Sequence, residues 1–69
     1  MNMIPVSSSN LVAVGYNPSN QELTIQFYSG VYTYIGVPVS VYNGLMAAPS
    51  KGSYHHRYIK KRYAFRRGF

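Results

Sequence analysis

The stretch Leu23-Thr24-Ile25-Gln26-Phe27-Tyr28-Ser29-Gly30-Val31-Tyr32-Thr33-Tyr34-Ile35 reads as a β-hairpin. Apolar and polar residues alternate from Leu23 to Phe27, the period-two pattern of a strand with one buried face. Val31 to Ile35 is β-branched and aromatic throughout, which suits a second strand. Between them Ser29-Gly30 is expected as a two-residue loop, with Gly supplying positive φ. On that pairing Phe27 faces Tyr32 and Ile25 opposes Tyr34. Cross-strand partners share a face, so Tyr32 and Tyr34 fall with Leu23, Ile25 and Phe27 on the apolar side. Thr24, Gln26, Tyr28, Val31, Thr33 and Ile35 take the other side, which is mixed and able to meet solvent.

Upstream, Leu11 to Tyr16 is short and apolar and suits a further strand, closed by the dense turn signal Asn17-Pro18-Ser19-Asn20. Residues 1–9 read as an extended lead-in. Downstream, Gly36-Val37-Pro38 breaks the hairpin strand, and Pro38 is placed to open a helix at its first position. Val41, Tyr42, Leu45 and Met46 then recur at helical spacing. Gly44 within that helix costs about 1 kcal/mol relative to Ala, so the helix needs tertiary support. Pro49 ends it, and Ser50 can cap a second helix from about Lys51 to Tyr63. On a helical wheel Tyr54, Tyr58, Ile59 and Tyr63 share one half, with Arg62 among them, while His56, Arg57, Lys60 and Lys61 occupy the other. The expected architecture is α+β: a three-stranded antiparallel meander followed by two helices packed on one sheet face. A single domain spans 1–69, with a structural core drawn from Phe27, Ile25, Tyr32, Tyr34, Ile59 and Tyr63. Arg66-Arg67-Gly68-Phe69 reads as a partly disordered basic tail.

Charge is segregated along this chain. All seven Lys and Arg side chains lie between Lys51 and Arg67, interleaved with Tyr54, Tyr58, Tyr63 and Phe65, and the one carboxylate side chain, Glu22, lies far upstream. A formal net charge of +6 concentrated in this way points to an anionic partner, with a solvated helix face as the plain alternative. One Glu and no Asp leave no pair of side-chain carboxylates for acid–base work, and the absence of Cys excludes disulfides and thiolate metal sites. His55 and His56 are adjacent, so on a helix they point about 100° apart and do not converge on one metal ion. No metal, no cofactor and no enzymatic activity are expected. No apolar run approaches the ~20 residues of a membrane span and no signal-like leader is visible, so a cytoplasmic protein is expected.

Several short motifs stand in order: Val12-Ala13-Val14-Gly15-Tyr16-Asn17-Pro18, Tyr32-Thr33-Tyr34, Val37-Pro38, Val41-Tyr42 and Ala47-Ala48-Pro49-Ser50-Lys51-Gly52. Together they closely resemble the KTSC domain, a family named for its occurrence at the C-terminus of some lysyl-tRNA synthetases. The resemblance covers residues 7–67 and implies a small freestanding bacterial or phage protein. RNA binding has been suggested for the family through its attachment to a tRNA-handling enzyme. Two positions depart from the family pattern. His55-His56 stands where an aromatic followed by Asn is common, and Ala64 stands where Pro is frequent, which is expected to let the last helix run further.

Tyr32 and Tyr34 invite comparison with the stacked aromatics of RNA-binding sheets, but a helix-covered face assigns them to the core; Tyr28 is the better stacking candidate on the open face. For Ser50-Lys51-Gly52 two readings stand together: a phosphate held at a helix start, and an N-cap followed by a Gly that permits tight approach to the preceding helix. The expected function is non-catalytic binding of nucleic acid, RNA before DNA, through Lys51, Arg57, Lys60, Lys61, Arg66 and Arg67. The alternative is a protein-interaction module that docks on an acidic partner surface.

Overall fold

The computed structural model describes residues 2–69 as an α+β fold built on a five-stranded antiparallel sheet. Its strands are β1 (Ile4–Pro5), β2 (Leu11–Asn17), β3 (Glu22–Phe27), β4 (Gly30–Tyr34) and β5 (Phe65–Arg67), and they lie side by side in chain order. Two helical segments fall between β4 and β5: α1 (Val39–Ala47), then α2 (Lys51–Tyr54), which continues directly into a π-helical stretch at His55–Ile59. The sheet is therefore wider than the expected three-stranded meander by one strand at each edge.

Both added strands come from segments expected to be irregular. In the lead-in, Ile4 and Pro5 pair with Val14 and Ala13. Pro5 is tolerated there because β1 is an edge strand, where a missing N–H leaves no ladder position empty. The larger correction is the basic tail. Tyr32, Thr33 and Tyr34 pair with Arg67, Arg66 and Phe65, and the ladder is extended by Ile35 N–H donating to the Ala64 carbonyl at 2.9 Å and Gly68 N–H donating to the Val31 carbonyl at 2.9 Å. Without that strand β4 would expose a row of unpaired backbone groups, which is costly wherever the flanking side chains are buried. The last helix accordingly ends at Ile59 rather than near Tyr63, and Ala64 serves the return to the sheet rather than a longer helix.

The hairpin loop also differs. Tyr28-Ser29 form the loop, and Gly30 pairs with Phe27 at a φ of +153°, so Ile25 opposes Tyr32 and Leu23 opposes Tyr34. The register is thus displaced by two residues from the expected one. A displacement of two keeps every side chain on its face, whereas a displacement of one would have inverted the sheet. Tyr32 and Tyr34 therefore do share a face with Leu23, Ile25 and Phe27.

That face carries the core. Leu11, Val14, Leu23, Ile25 and Tyr34 from the sheet pack with Val37, Leu45 and Ile59 from the connecting and helical segments, and Phe27, Tyr32, Tyr42, Tyr54 and Tyr63 pack partly buried around them. Tyr16 stacks on Tyr42 with ring centroids 4.8 Å apart, and its hydroxyl donates to the Val37 carbonyl at 2.5 Å, tying β2 to α1. Gly44 has a packing reason: the Tyr54 ring lies so close that a Cβ there would collide with the phenol. That contact adds to the tertiary support that the Tyr16–Tyr42 stack and buried Leu45 give this helix.

The opposite sheet face is less open than the alternation suggests, because Thr24 and Thr33 are both fully buried. Thr33 donates to the Gly68 carbonyl at 2.7 Å, so its single proton is committed, and Thr24 must be the donor in the 2.8 Å contact between the two hydroxyls. At the turn after β2, Asn17 Oδ1 accepts from Ser19 N–H at 3.0 Å, and Gln21, rather than either Asn, takes the left-handed backbone with φ +58°.

Candidate functional site: an aromatic basin with a cationic rim

The helical layer stops short of the hairpin end of the sheet. Because the helix ends at Ile59 and the chain then returns to lay β5 beside β4, part of the apolar face stays uncovered. It forms a basin of about 370 Å³ lined by Phe27, Ser29, Tyr32, Tyr34, His55, Lys60, Lys61, Phe65 and Arg67. The aromatic lining residues have local reasons to be there. Phe27 and Tyr32 are diagonal neighbours across the hairpin, close enough for an edge-to-face contact at 5.9 Å. Phe65 and Arg67 alternate onto the same face of β5, opposite Tyr34 and Tyr32. The Phe65 ring meets Tyr32 at 5.5 Å and Tyr34 at 5.7 Å, while remaining half exposed to the basin.

His55 lies at the floor. It is only 8% exposed, its Nε2 is 2.7 Å from the Tyr34 hydroxyl, and its ring packs edge-on against Phe27 and Tyr34 at 4.9 and 5.4 Å. Burial, followed by the nearby charges of Lys60 and His56, pushes its pKa down to about 4, so the imidazole is neutral at neutral pH. Burial first, and then the neighbouring Tyr32, raises the Tyr34 phenol above its ordinary value. The floor is therefore uncharged, and the charge sits on the rim.

The π-helical stretch helps set this geometry. Lys60 N–H donates to the His55 carbonyl at 2.9 Å, a five-residue step that widens the last turn. His55 and Ile59 both face the sheet from this stretch, and Lys60 and Lys61 leave its end exposed above the basin. Arg67 joins them from β5, its guanidinium carbon 5.8 Å from the Tyr32 ring centre, within cation–π range.

The six expected phosphate-binding residues do not form one surface. Lys60, Lys61 and Arg67 meet at the basin. Arg66 points to the other sheet face and makes a two-pronged ion pair with Glu22 at 3.0 and 3.1 Å, across 44 residues of sequence. That pair holds the Glu22 carboxyl below and the Arg66 guanidinium above their usual ranges. Sequence distance from an acid was thus no guide to distance in space. Arg57 lines a separate shallow depression of about 230 Å³ with Ala48, Pro49, Ser50, Ser53, Tyr54 and Tyr58. Lys51 donates to the Ala48 carbonyl at 3.2 Å, closing the preceding helix end. Ser50 caps α2 by accepting from Ser53 N–H at 3.4 Å, and Gly52 makes room for the Asn10 side chain rather than for the preceding helix.

Of the residues expected in the core, Ile25, Ile59 and Tyr34 are buried, while Phe27, Tyr32 and Tyr63 are partly exposed at its margin. His55 was missed as a floor residue although the wheel holds the signal: at about 100° per residue it falls between Tyr58 and Ile59, in the centre of the apolar half. Phe65 was missed because the tail was read without its strand alternation. Among the described residues no cluster of His and Glu could hold a metal ion, and no helix is long and apolar enough to cross a membrane.

The comparisons with known proteins agree with one another. The model of the KTSC domain family matches residues 7–63. The chain is 39% identical over 64 residues to a lysine–tRNA ligase of Nostoc sp., a match that covers 91% of the chain but 11% of that enzyme. It is 40% identical over 62 residues to a Tsukamurella paurometabola protein, covering 88% of the chain and 92% of that protein. The crystal structure of a KTSC domain protein from Yersinia pestis superimposes with a TM-score of 0.95 at 39% identity, covering 99% of this chain and 97% of that one. This chain belongs to the KTSC domain family.

Proposed function

We propose that the protein is a non-catalytic RNA-binding module that grips single-stranded RNA at the aromatic basin. One observation carries the reading: four aromatic rings border a cavity whose rim bears Lys60, Lys61 and Arg67, while the sequence's one carboxylate side chain is occupied by Arg66 on the opposite sheet face. Aromatic faces stack on unpaired bases and cations neutralise the adjoining phosphates, the combination used by single-strand binders. A duplex keeps its bases paired and stacked on one another, so their faces do not reach the rings, which favours single strands over helices. Stacking is available to any base, so weak sequence preference is expected. The occurrence of the domain in lysine–tRNA ligases such as that of Nostoc sp. supports RNA over DNA.

The test is the salt dependence of binding to a labelled single-stranded oligoribonucleotide. Three neutralised phosphates give a slope of log K against log salt near −2, at about −0.7 per phosphate. Affinity that does not change with salt would remove the phosphate contacts and leave an apolar protein surface as the better reading.

A further inference from the structure

Resting on the RNA reading for its polymer context, we propose that the basin is a one-nucleotide pocket: a single base enters against Phe27, Tyr32 and Phe65, and its phosphate lies on Lys60, Lys61 and Arg67. Size comes first. A cavity of about 370 Å³ sits near the lower end of the ~300–1,000 Å³ range of small-molecule sites, enough for one nucleotide and too little for a run of them. Shape comes second. Phe65 is 52% exposed and stands edge-on to Tyr32, so its free side offers apolar ring surface toward the cavity. A flat aromatic ligand recovers that area from water, which a bare phosphate or a Lys-seeking carboxylate does not.

Polarity sorts the two ends of the ligand. The floor is the Tyr34 hydroxyl paired with neutral His55, which tolerates an uncharged base and opposes a buried anion. The rim carries three exposed cations from two elements, the helix end and β5, lining the same cavity as the rings and so available to the phosphate of an inserted nucleotide. Arg67 serves both ends, since its guanidinium already lies over the Tyr32 ring and can reach an anion beside it. The recognised chemistry is a base bearing a phosphate, whether free or as one residue of an RNA strand.

The experiment follows amide and side-chain resonances of the intact chain during titration with the four nucleoside 5′-monophosphates, ribose 5-phosphate, inorganic phosphate and a hexanucleotide RNA. The expected result is saturable shifts at Tyr32, His55, Phe65 and Arg67 with the monophosphates, and at least tenfold weaker effects with ribose 5-phosphate and inorganic phosphate. The hexanucleotide should compete with the monophosphates for the same resonances. Phe65→Ala, at a half-exposed position, should weaken monophosphate binding about tenfold, as expected for one lost stacking partner. Equal responses to ribose 5-phosphate and to the monophosphates would overturn the pocket, because the base would contribute nothing. Hexanucleotide binding without any monophosphate response would overturn it too, yet leave the RNA reading standing. Failure of both ligand classes would overturn both.

Discussion

His55 and its surroundings tie stability to pH in a direction that can be worked out. Its pKa in the fold is about 4 against an ordinary value of 6.5, so between those limits the unfolded chain carries more protons on this side chain than the folded one. Stability therefore falls as pH drops from 6.5 toward 4 and loses nothing more from this group below that. The difference between those two values limits the effect to at most about 3–4 kcal/mol, reduced by whatever water enters the open basin. Urea unfolding at pH 7, 5.5 and 4 measures it, and His55→Gln should flatten the profile across that window. A second residue-scale prediction concerns Gly44. Ala is the better helix former by about 1 kcal/mol, yet Gly44→Ala should lower the melting temperature, because the new methyl meets the rigid end of the Tyr54 ring. A rise in melting temperature would show that the ring can move aside without loss.

At the scale of elements, β5 builds one wall of the aromatic basin. It completes the sheet edge, brings Phe65 and Arg67 to the basin and turns Arg66 away to Glu22. Its far side is fastened by the buried chain from Thr24 through Thr33 to the Gly68 carbonyl. Thr33→Val keeps the shape but removes both bonds, leaving the Thr24 hydroxyl and the Gly68 carbonyl without that partner. A loss of about 1–3 kcal/mol is expected, together with faster hydrogen exchange at the β4–β5 amides, Ile35 and Gly68 among them. Slow exchange preserved in that variant would mean that the backbone ladder alone holds the strand. The Glu22–Arg66 pair is partly exposed, with Arg66 44% and Glu22 23% accessible, so Arg66→Ala should barely move the melting temperature and leave RNA affinity nearly unchanged.

At the scale of the whole molecule, the central hairpin, its faces and α1 were legible because period-two and helical spacing are local signals. The even displacement of the hairpin register left the faces as expected. β1 and β5 were not legible, since an edge strand of two or three residues has too little alternation of its own and is recruited by the unpaired edge beside it. For the same reason the six basic residues expected to bind phosphate divide among the basin, the Arg57 depression, the end of α1 and the far sheet face. Linear charge density marks the basic segment but not the separate surfaces over which the fold distributes its side chains. On the proposed reading, the binding cations are Lys60, Lys61 and Arg67, which the fold sets beside exposed rings. The most direct measurement maps the backbone amide shifts of the isotope-labelled protein on addition of single-stranded RNA. Shifts should concentrate at Phe27, Ser29, Tyr32, Lys60, Lys61, Phe65 and Arg67 and be abolished by Lys60→Glu with Lys61→Glu in a protein that remains folded. Shifts centred instead on Ser53, Arg57 and Tyr58, or on Glu22 and Arg66, would contradict that placement.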